Sequence, residues 1–404
     1  MPTPLDELDL AEFDLFDPAF NADPFGTLHR LSADHRLLRT PFGLIVLGYD
    51  DCQAALRQPN LHQGIRLLQD MQAITDERFV QRKRQSILTT EGDAHTRLRK
   101  LVSKAFTPRA TDRLRPLMRE LMERLVDPLS ALGQAEFVSE VSDPYPIPII
   151  CALFGAPTED LPLFSRWATD ILKSLGFNLA QDLPAILAAE EEMDHYMEAL
   201  IERRRREPRE DLLTDLIVAE EAGDHLSHEE LIMMAEAIML AGTDTTRNQL
   251  ATAMWLFAQH PQQWTLLGAQ PELAANAADE VLRFNGVVRS VIRVAAHDVE
   301  VAGALVPTGT LILPSFAAAN RDESYFSDPM RFDISRASDR SHLSFGGGIH
   351  YCLGANLARA ELAEALSVLA RRMPGLALEA KPTWRPPIGI QGPTSLHLRF
   401  EPGS

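Results

Sequence analysis

Cysteine is scarce in this chain: its 404 residues hold three, Cys52, Cys151 and Cys352. They lie far apart, so they make neither a disulfide framework nor the paired spacing of a zinc site, and each thiol has to be judged alone. Long apolar runs are missing too. The most apolar stretch, 231–241, is broken by Glu236 and is shorter than the ~20 residues that span a bilayer, which argues against a membrane anchor. Residues 1–22 lack the basic stretch and apolar run of a secretory signal, so a cytoplasmic location is expected. Positive charge is in the minority: 39 Lys and Arg stand against 57 Asp and Glu, a net charge of -18, which disfavours binding to nucleic acid phosphates. With no repeat, low-complexity tract or Gly/Ser linker, one domain over 1–404 is the simplest organisation. Nor is there a Gly-x-Gly-x-x-Gly fingerprint for a flavin or nicotinamide, so any electrons the protein uses must come from outside.

What is present is an ordinary globular composition, 45% hydrophobic and 24% charged. Amphipathic periodicity predicts helices over 96–106, 113–132, 183–205, 228–257, 271–284 and 355–372. Strand signals are confined to 36–47 and to a hairpin-like stretch, 299–316, with turn chemistry at Pro307 and Gly309. The expected fold class is mainly α with a small β-sheet region. Residues 314–350 show little periodicity and read as a long functional loop.

That loop runs into Phe345-Gly346-Gly347-Gly348-Ile349-His350-Tyr351-Cys352-Leu353-Gly354, immediately before the helix predicted over 355–372. A cysteine at a helix start sits near unpaired N–H groups that favour its thiolate, the form that binds metals. Glycines there permit positive φ and close approach to a flat ligand. A buried, inert cysteine in a tight turn is the competing reading, and the run lacks the Lys-Ser/Thr ending of a phosphate loop. A second constellation, Ala241-Gly242-Thr243-Asp244-Thr245-Thr246, interrupts the apolar helix 228–257 with an acid and three hydroxyls. Threonines can bond back to the preceding turn and Gly242 weakens the helix, so the stretch is suited to opening its wall, with Ala241 and Thr245 on one face. Glu280 and Arg283 are spaced to pair on one helical face.

The ten residues 345–354 match all six fixed positions of the heme-binding signature Phe-Gly-x-Gly-x-His-x-Cys-x-Gly, and the chain resembles the cytochrome P-450 family. A chance match is on the order of one in a million at average residue usage. The resemblance implies that family's helix-rich fold and a heme b (iron protoporphyrin IX) whose iron is bound by Cys352, with Phe345, Gly346, His350 and Gly354 around it. It implies that Ala241 and Gly242 leave room over the iron, that Asp244 carries protons, and that Thr245 holds oxygen and a water. By the same resemblance His95, Arg99, Arg293 and His350 bind the heme propionates. Glu280 and Arg283 then form a buried structural pair with a third arginine, Arg336 in preference to Arg331.

The implied activity is that of a monooxygenase, oxidising a small apolar organic substrate with O2 and two electrons from a ferredoxin and ferredoxin reductase fed by NAD(P)H. Arg97, Lys100, Lys104 and Arg359 would form the docking patch for that donor. A peroxide-using heme-thiolate enzyme and a heme gas sensor are the alternatives; the Asp244-Thr245 pair argues against the first and the absence of a signalling domain against the second. The pocket is expected from 61–90, 167–188, 234–245, 287–292 and 388–394, with Val287, Val288 and Val291 against the substrate and Arg289 facing solvent, a propionate or a substrate carboxylate. Departures from the family pattern fall at Asp93-Ala94 before His95, at Asp279, at Val287 and at Gln391.

Overall fold

The computed structural model describes residues 2–65, 67, 72, 74–175, 178–221, 226–337, 340–385 and 389–402. The helices that frame the site are α1 (Glu77–Gln85), α2 (Gly92–Val102), α3 (Arg115–Ser130), α4 (Pro146–Phe154), α5 (Leu179–Arg206), α6 (His228–Gln259), α7 (Ala274–Asn285) and α8 (Ala355–Arg372). The longest, α6, is buried around most of its circumference, as a helix apolar on several sides must be. Its start is fixed by a capping box in which Ser227 Oγ accepts from Glu230 N–H and the Glu230 carboxylate accepts from Ser227 N–H. α8 packs against α3 and α7 and so anchors the loop that precedes it.

Helix α4 escapes the periodicity reading for a physical reason. Pro146-Ile147-Pro148-Ile149-Ile150-Cys151 is buried on every side, so it shows no polar face. Its prolines fall in the first turn, where no intrahelical N–H bond is lost, and Gly155 ends it at φ 92°. The segment expected as helix over 96–106 begins earlier, at Gly92, and tightens into a 3-10 turn over Ser103–Phe106.

The β region is small. A five-stranded sheet has the order β1-β2-β5-β4-β3, formed by β1 (Leu37–Thr40), β2 (Gly43–Val46), β3 (Leu61–Gln63), β4 (Arg293–Ala295) and β5 (Leu311–Pro314). Only β2 and β5 run parallel in it. The expected hairpin turn at Pro307 and Gly309 is corrected: the reversal occurs at Ala302-Gly303, both at positive φ (52° and 85°), between Val299–Val301 and Ala304–Val306. Pro307 to Gly309 instead leads the chain out of that hairpin into β5, with Thr308 held by the Asp298 carboxylate. Alternation locates strands but not the point where the chain turns. A short C-terminal hairpin pairs β6 (Thr383–Trp384) with β7 (Pro393–Ser395).

Two large apolar clusters result, one among the helices and one beneath the sheet. The cysteine loop lies where they meet: Leu343 belongs to the sheet cluster, while Phe345 and Leu353 pack on the helical one.

Candidate functional site

The loop 345–354 is closed by short backbone bonds, Gly346 N–H to Leu343 O at 2.7 Å and Cys352 N–H to Phe345 O at 2.9 Å. Gly348 has φ 65°, and a Cβ there would lie 2.2 Å from Leu56 O, so no other residue fits. Cys52 and Cys151 are buried, and burial pushes both thiols up; Cys352 alone is exposed. α8 begins at Ala355, where the periodicity placed it, so Cys352 ends the loop just before the helix start. Its sulfur has one backbone donor, Gly354 N–H, and the cations Arg99 and Arg359. Although solvent reaches the residue, the protein packed around it pushes the thiol up, against those three influences. Phe345 is half-buried, with the Arg359 guanidinium 4.6 Å from its ring centroid.

On α6 the hydroxyl motif does not break the helix. Thr243 and Thr245 donate to Met239 O (2.8 Å) and Ala241 O (3.1 Å), absorbing the hydroxyls locally. The opening is lateral instead: Ala241 is exposed and Thr245 half-buried on the same face, whereas Asp244 is buried. A Cβ on Gly242 would sit 2.3 Å from Ile150 Cδ1, so the glycine permits the close packing of α6 on α4. The Asp244 carboxylate is held by Arg247 of its own helix (Nε to Oδ1, 2.8 Å) and by Arg385, which follows β6 (Nη1 to Oδ2, 2.9 Å; Nη2 to Oδ1, 3.0 Å). Sequence spacing gave no sign of Arg385, 141 residues away.

Four basic side chains expected around the site converge from three elements. His95 and Arg99 come from α2, Arg293 from β4 and His350 from the cysteine loop. The His95 and His350 rings are 4.3 Å apart. Burial, reinforced by His350 and Arg99, lowers His95 to about 4, and its buried Nδ1 has no partner. Arg293, lowered to about 10 by burial, donates to neutral oxygens, Gln63 Oε1 (2.9 Å) and Ile292 O (3.2 Å). Arg99 donates to Tyr351 O. One acid enters the cluster: Glu91, before α2, accepts from Gln63 N–H and meets His350 Nε2 at 3.0 Å. The sequence reading singled out neither Gln63 nor Glu91.

Behind the loop, Glu280 and Arg283 are both buried and bonded twice, Nε to Oε2 at 2.7 Å and Nη2 to Oε1 at 2.9 Å. Arg336 completes the group at 3.2 Å from both Glu280 oxygens, while the Arg331 guanidinium turns to Asp333. Val287 is buried, and Val288 and Val291 are half-buried against the sheet cluster. Arg289 stacks its guanidinium 4.7 Å from the Phe25 ring centroid, directed at the N-terminal segment rather than at solvent.

The pattern described as cytochrome P450 matches residues 162–265 and 271–373. The chain belongs to the cytochrome P450 family. It is 36% identical to the luteothin monooxygenase of Streptomyces thioluteus over 396 residues, covering 97% of this chain and 96% of that protein. It is also 36% identical to the cytochrome P450 monooxygenase PikC of Streptomyces venezuelae, covering 95% and 92%. Among solved structures CalO2 superposes with a TM-score of 0.91 at 31% identity, covering 98% of this chain and all of that one.

This P450 is therefore a heme-dependent oxidoreductase, and its residues fit a heme-thiolate site. The accessible sulfur of Cys352 lies in a loop whose glycines admit a flat ligand. The orphaned Nδ1 of His95, and Arg293, whose bonds among the described residues go to neutral oxygens, are what a pair of propionates would satisfy. A metal cation at Cys352 offsets the burial that otherwise keeps the thiol protonated. The basic patch expected on the cysteine side of the P450 is reduced by internal pairing: Arg97 is bound to Glu230 and Arg359 to Asp279. Lys100 and Lys104 remain exposed, as are Ile349 and Tyr351 of the cysteine loop.

Proposed function

We propose that this P450 binds heme b through Cys352 and oxidises a small, largely apolar organic molecule with O2 and two electrons from a ferredoxin and its NAD(P)H-dependent reductase. The observation that carries the reading is the exposed thiol in a glycine loop at the junction of the two cores, with Arg99 near it and with His95, His350 and Arg293 clustered through Glu91 and Gln63. When bound, heme would supply one-electron and dioxygen chemistry with an electron-rich sulfur as its protein ligand. Cys352 would hold the iron, and the four basic residues the propionates. On α6, Ala241 keeps its side of the helix low. The Thr245 hydroxyl donates its own proton to Ala241 O and so presents its lone pairs, as an acceptor, to the open face. By the family's pattern Asp244, buried one residue away, would pass protons toward that hydroxyl. Lys100, Lys104, Ile349 and Tyr351 form the surface on which a ferredoxin would dock, charge steering the encounter and the apolar pair filling its centre. Val287 and its neighbours wall the substrate side.

The test is spectroscopic first. The dithionite-reduced protein with carbon monoxide should give the red-shifted band of thiolate-ligated heme, and Cys352→Ala should lose it. Reconstitution with ferredoxin, reductase and NAD(P)H should then give oxygen-dependent product. Retention of the band in the variant, or turnover with peroxide alone, would falsify the corresponding part of the proposal.

A further inference from the structure

The pairing that takes Arg359 out of the docking patch gives it a fixed place against the cysteine loop. α7 carries two consecutive acids that serve different neighbours. Glu280 turns to Arg283 and Arg336, while Asp279 turns to α8 and to the chain leading into the loop. The Oδ1 of Asp279 accepts from Arg359 Nε at 2.6 Å and meets His342 Nε2 at 3.4 Å. His342 is buried, and burial lowers it. Its Nδ1 accepts from Ser344 N–H at 3.2 Å, which leaves the neutral ring with its proton on Nε2, facing Asp279. Ser344 Oγ in turn donates to Leu282 O at 2.7 Å, so α7 fixes residues 342–344 along its side.

Held by that acid, Arg359 reaches the loop in three ways. Its guanidinium carbon lies 4.6 Å from the Phe345 ring centroid, a cation on the π face. Its Nη1 donates to the Tyr351 hydroxyl at 3.3 Å. Its charge acts with that of Arg99 to favour the thiolate of Cys352. Both arginines also grip Tyr351, the residue before the thiol, Arg99 through the backbone oxygen and Arg359 through the side chain. Arg359 is half-buried on a long, flexible stem. Without a partner such a side chain spreads over many rotamers into solvent; the Asp279 carboxylate selects the one that lies on Phe345.

We propose that Asp279 is a positioning residue that, by holding Arg359 on Phe345 and beside Cys352, sets the reduction potential of a heme iron bound there. This rests on the reading of Cys352 as the iron ligand and adds a control of its electronics. Reduction adds one negative charge to the iron site, and a fixed cation nearby favours the more negative state, so Arg359 raises the potential. The charge of Asp279 itself acts the other way. Its two effects, aiming a cation and adding an anion, therefore carry opposite signs.

The experiment is a spectroelectrochemical titration of the heme-loaded protein that reads the ferric/ferrous midpoint. Arg359→Gln should shift the midpoint to more negative values. Asp279→Asn should shift it in the same direction, because the cation is no longer held in place. The double variant should fall no further than Arg359→Gln alone, and Asp279→Glu, which keeps an acid, should restore most of the wild-type midpoint. The carbon monoxide band of the reduced protein checks that each variant keeps its thiolate ligand. A midpoint that rises or stays unchanged in Asp279→Asn overturns the positioning role, as do additive shifts in the double variant or an unchanged midpoint in Arg359→Gln. In those cases the Cys352 reading stands. If the wild-type protein lacks the band, that reading fails and the proposal falls with it.

Discussion

Single side chains in this P450 carry more than their sequence neighbourhoods suggest, and Glu361 shows why. It lies on α8, nine residues past the cysteine, with no exposure to solvent beyond 1%. Burial pushes its carboxyl up to about 8, with the nearby Thr246 hydroxyl acting in the opposite direction. The folded protein therefore holds a proton that the unfolded chain releases at ordinary carboxylate pH. Stability from this residue is intact at low pH and declines as pH rises from about 4.5 to about 8. Glu361→Gln removes the ionisation while keeping the shape. The variant should match or exceed wild-type thermal stability near pH 8, and its stability should fall less across that window. Parallel melting-temperature profiles for the two proteins would remove the residue from this role. Helical periodicity marks Glu361 only as a polar position; its burial comes from the packing of α8 on α6, with Thr246 of α6 near the carboxyl and Tyr145 donating to the Glu361 backbone carbonyl at 3.1 Å.

At the scale of elements, α7 and the chain after α7 are tied by one buried ion group. Arg283 donates to three backbone oxygens, those of Asn320, Pro329 and Arg331, as well as to Glu280. Glu280 accepts in addition from Asp333 N–H at 2.9 Å. The irregular chain 320–336 thus takes its shape from a charged pair rather than from repetitive hydrogen bonding. Deleting the Glu280 charge leaves the buried Arg283 guanidinium, and the half-buried one of Arg336, without that counterion, which costs about 3–5 kcal/mol. Glu280→Gln should accordingly melt at lower temperature and lose heme more readily, although no atom of Glu280 belongs to the candidate heme site. A variant with wild-type melting and heme retention would refute this. The pair was readable as i, i+3 spacing and Arg336 was placed by family resemblance. That Arg331 contributes its carbonyl while its side chain turns to Asp333 was not readable, because it depends on how the coil folds back.

For the whole molecule, the site is the seam between the helical cluster and the sheet cluster, and its four basic side chains come from both sides of that seam. A ligand bound there only in the folded state adds stability by mass action. Heme-extracted protein should unfold at lower temperature than the loaded form, and amide exchange should rise first in the loop 345–354 and at Arg293, ahead of the centre of α6. Uniform loosening throughout the chain would contradict the seam. The sequence by itself determined the helix-rich class, the loop and helix that carry Cys352, the acid-alcohol pair of α6 and the Glu280–Arg283 pair. These are local patterns, encoded by spacing along one element. Only the tertiary structure decided where the hairpin turns, that Gly242 serves Ile150, that Arg97 and Arg359 are held by acids, and that Arg385 closes on Asp244. Each of those joins residues distant in the chain, and packing, not periodicity, selects which of many possible partners a side chain meets.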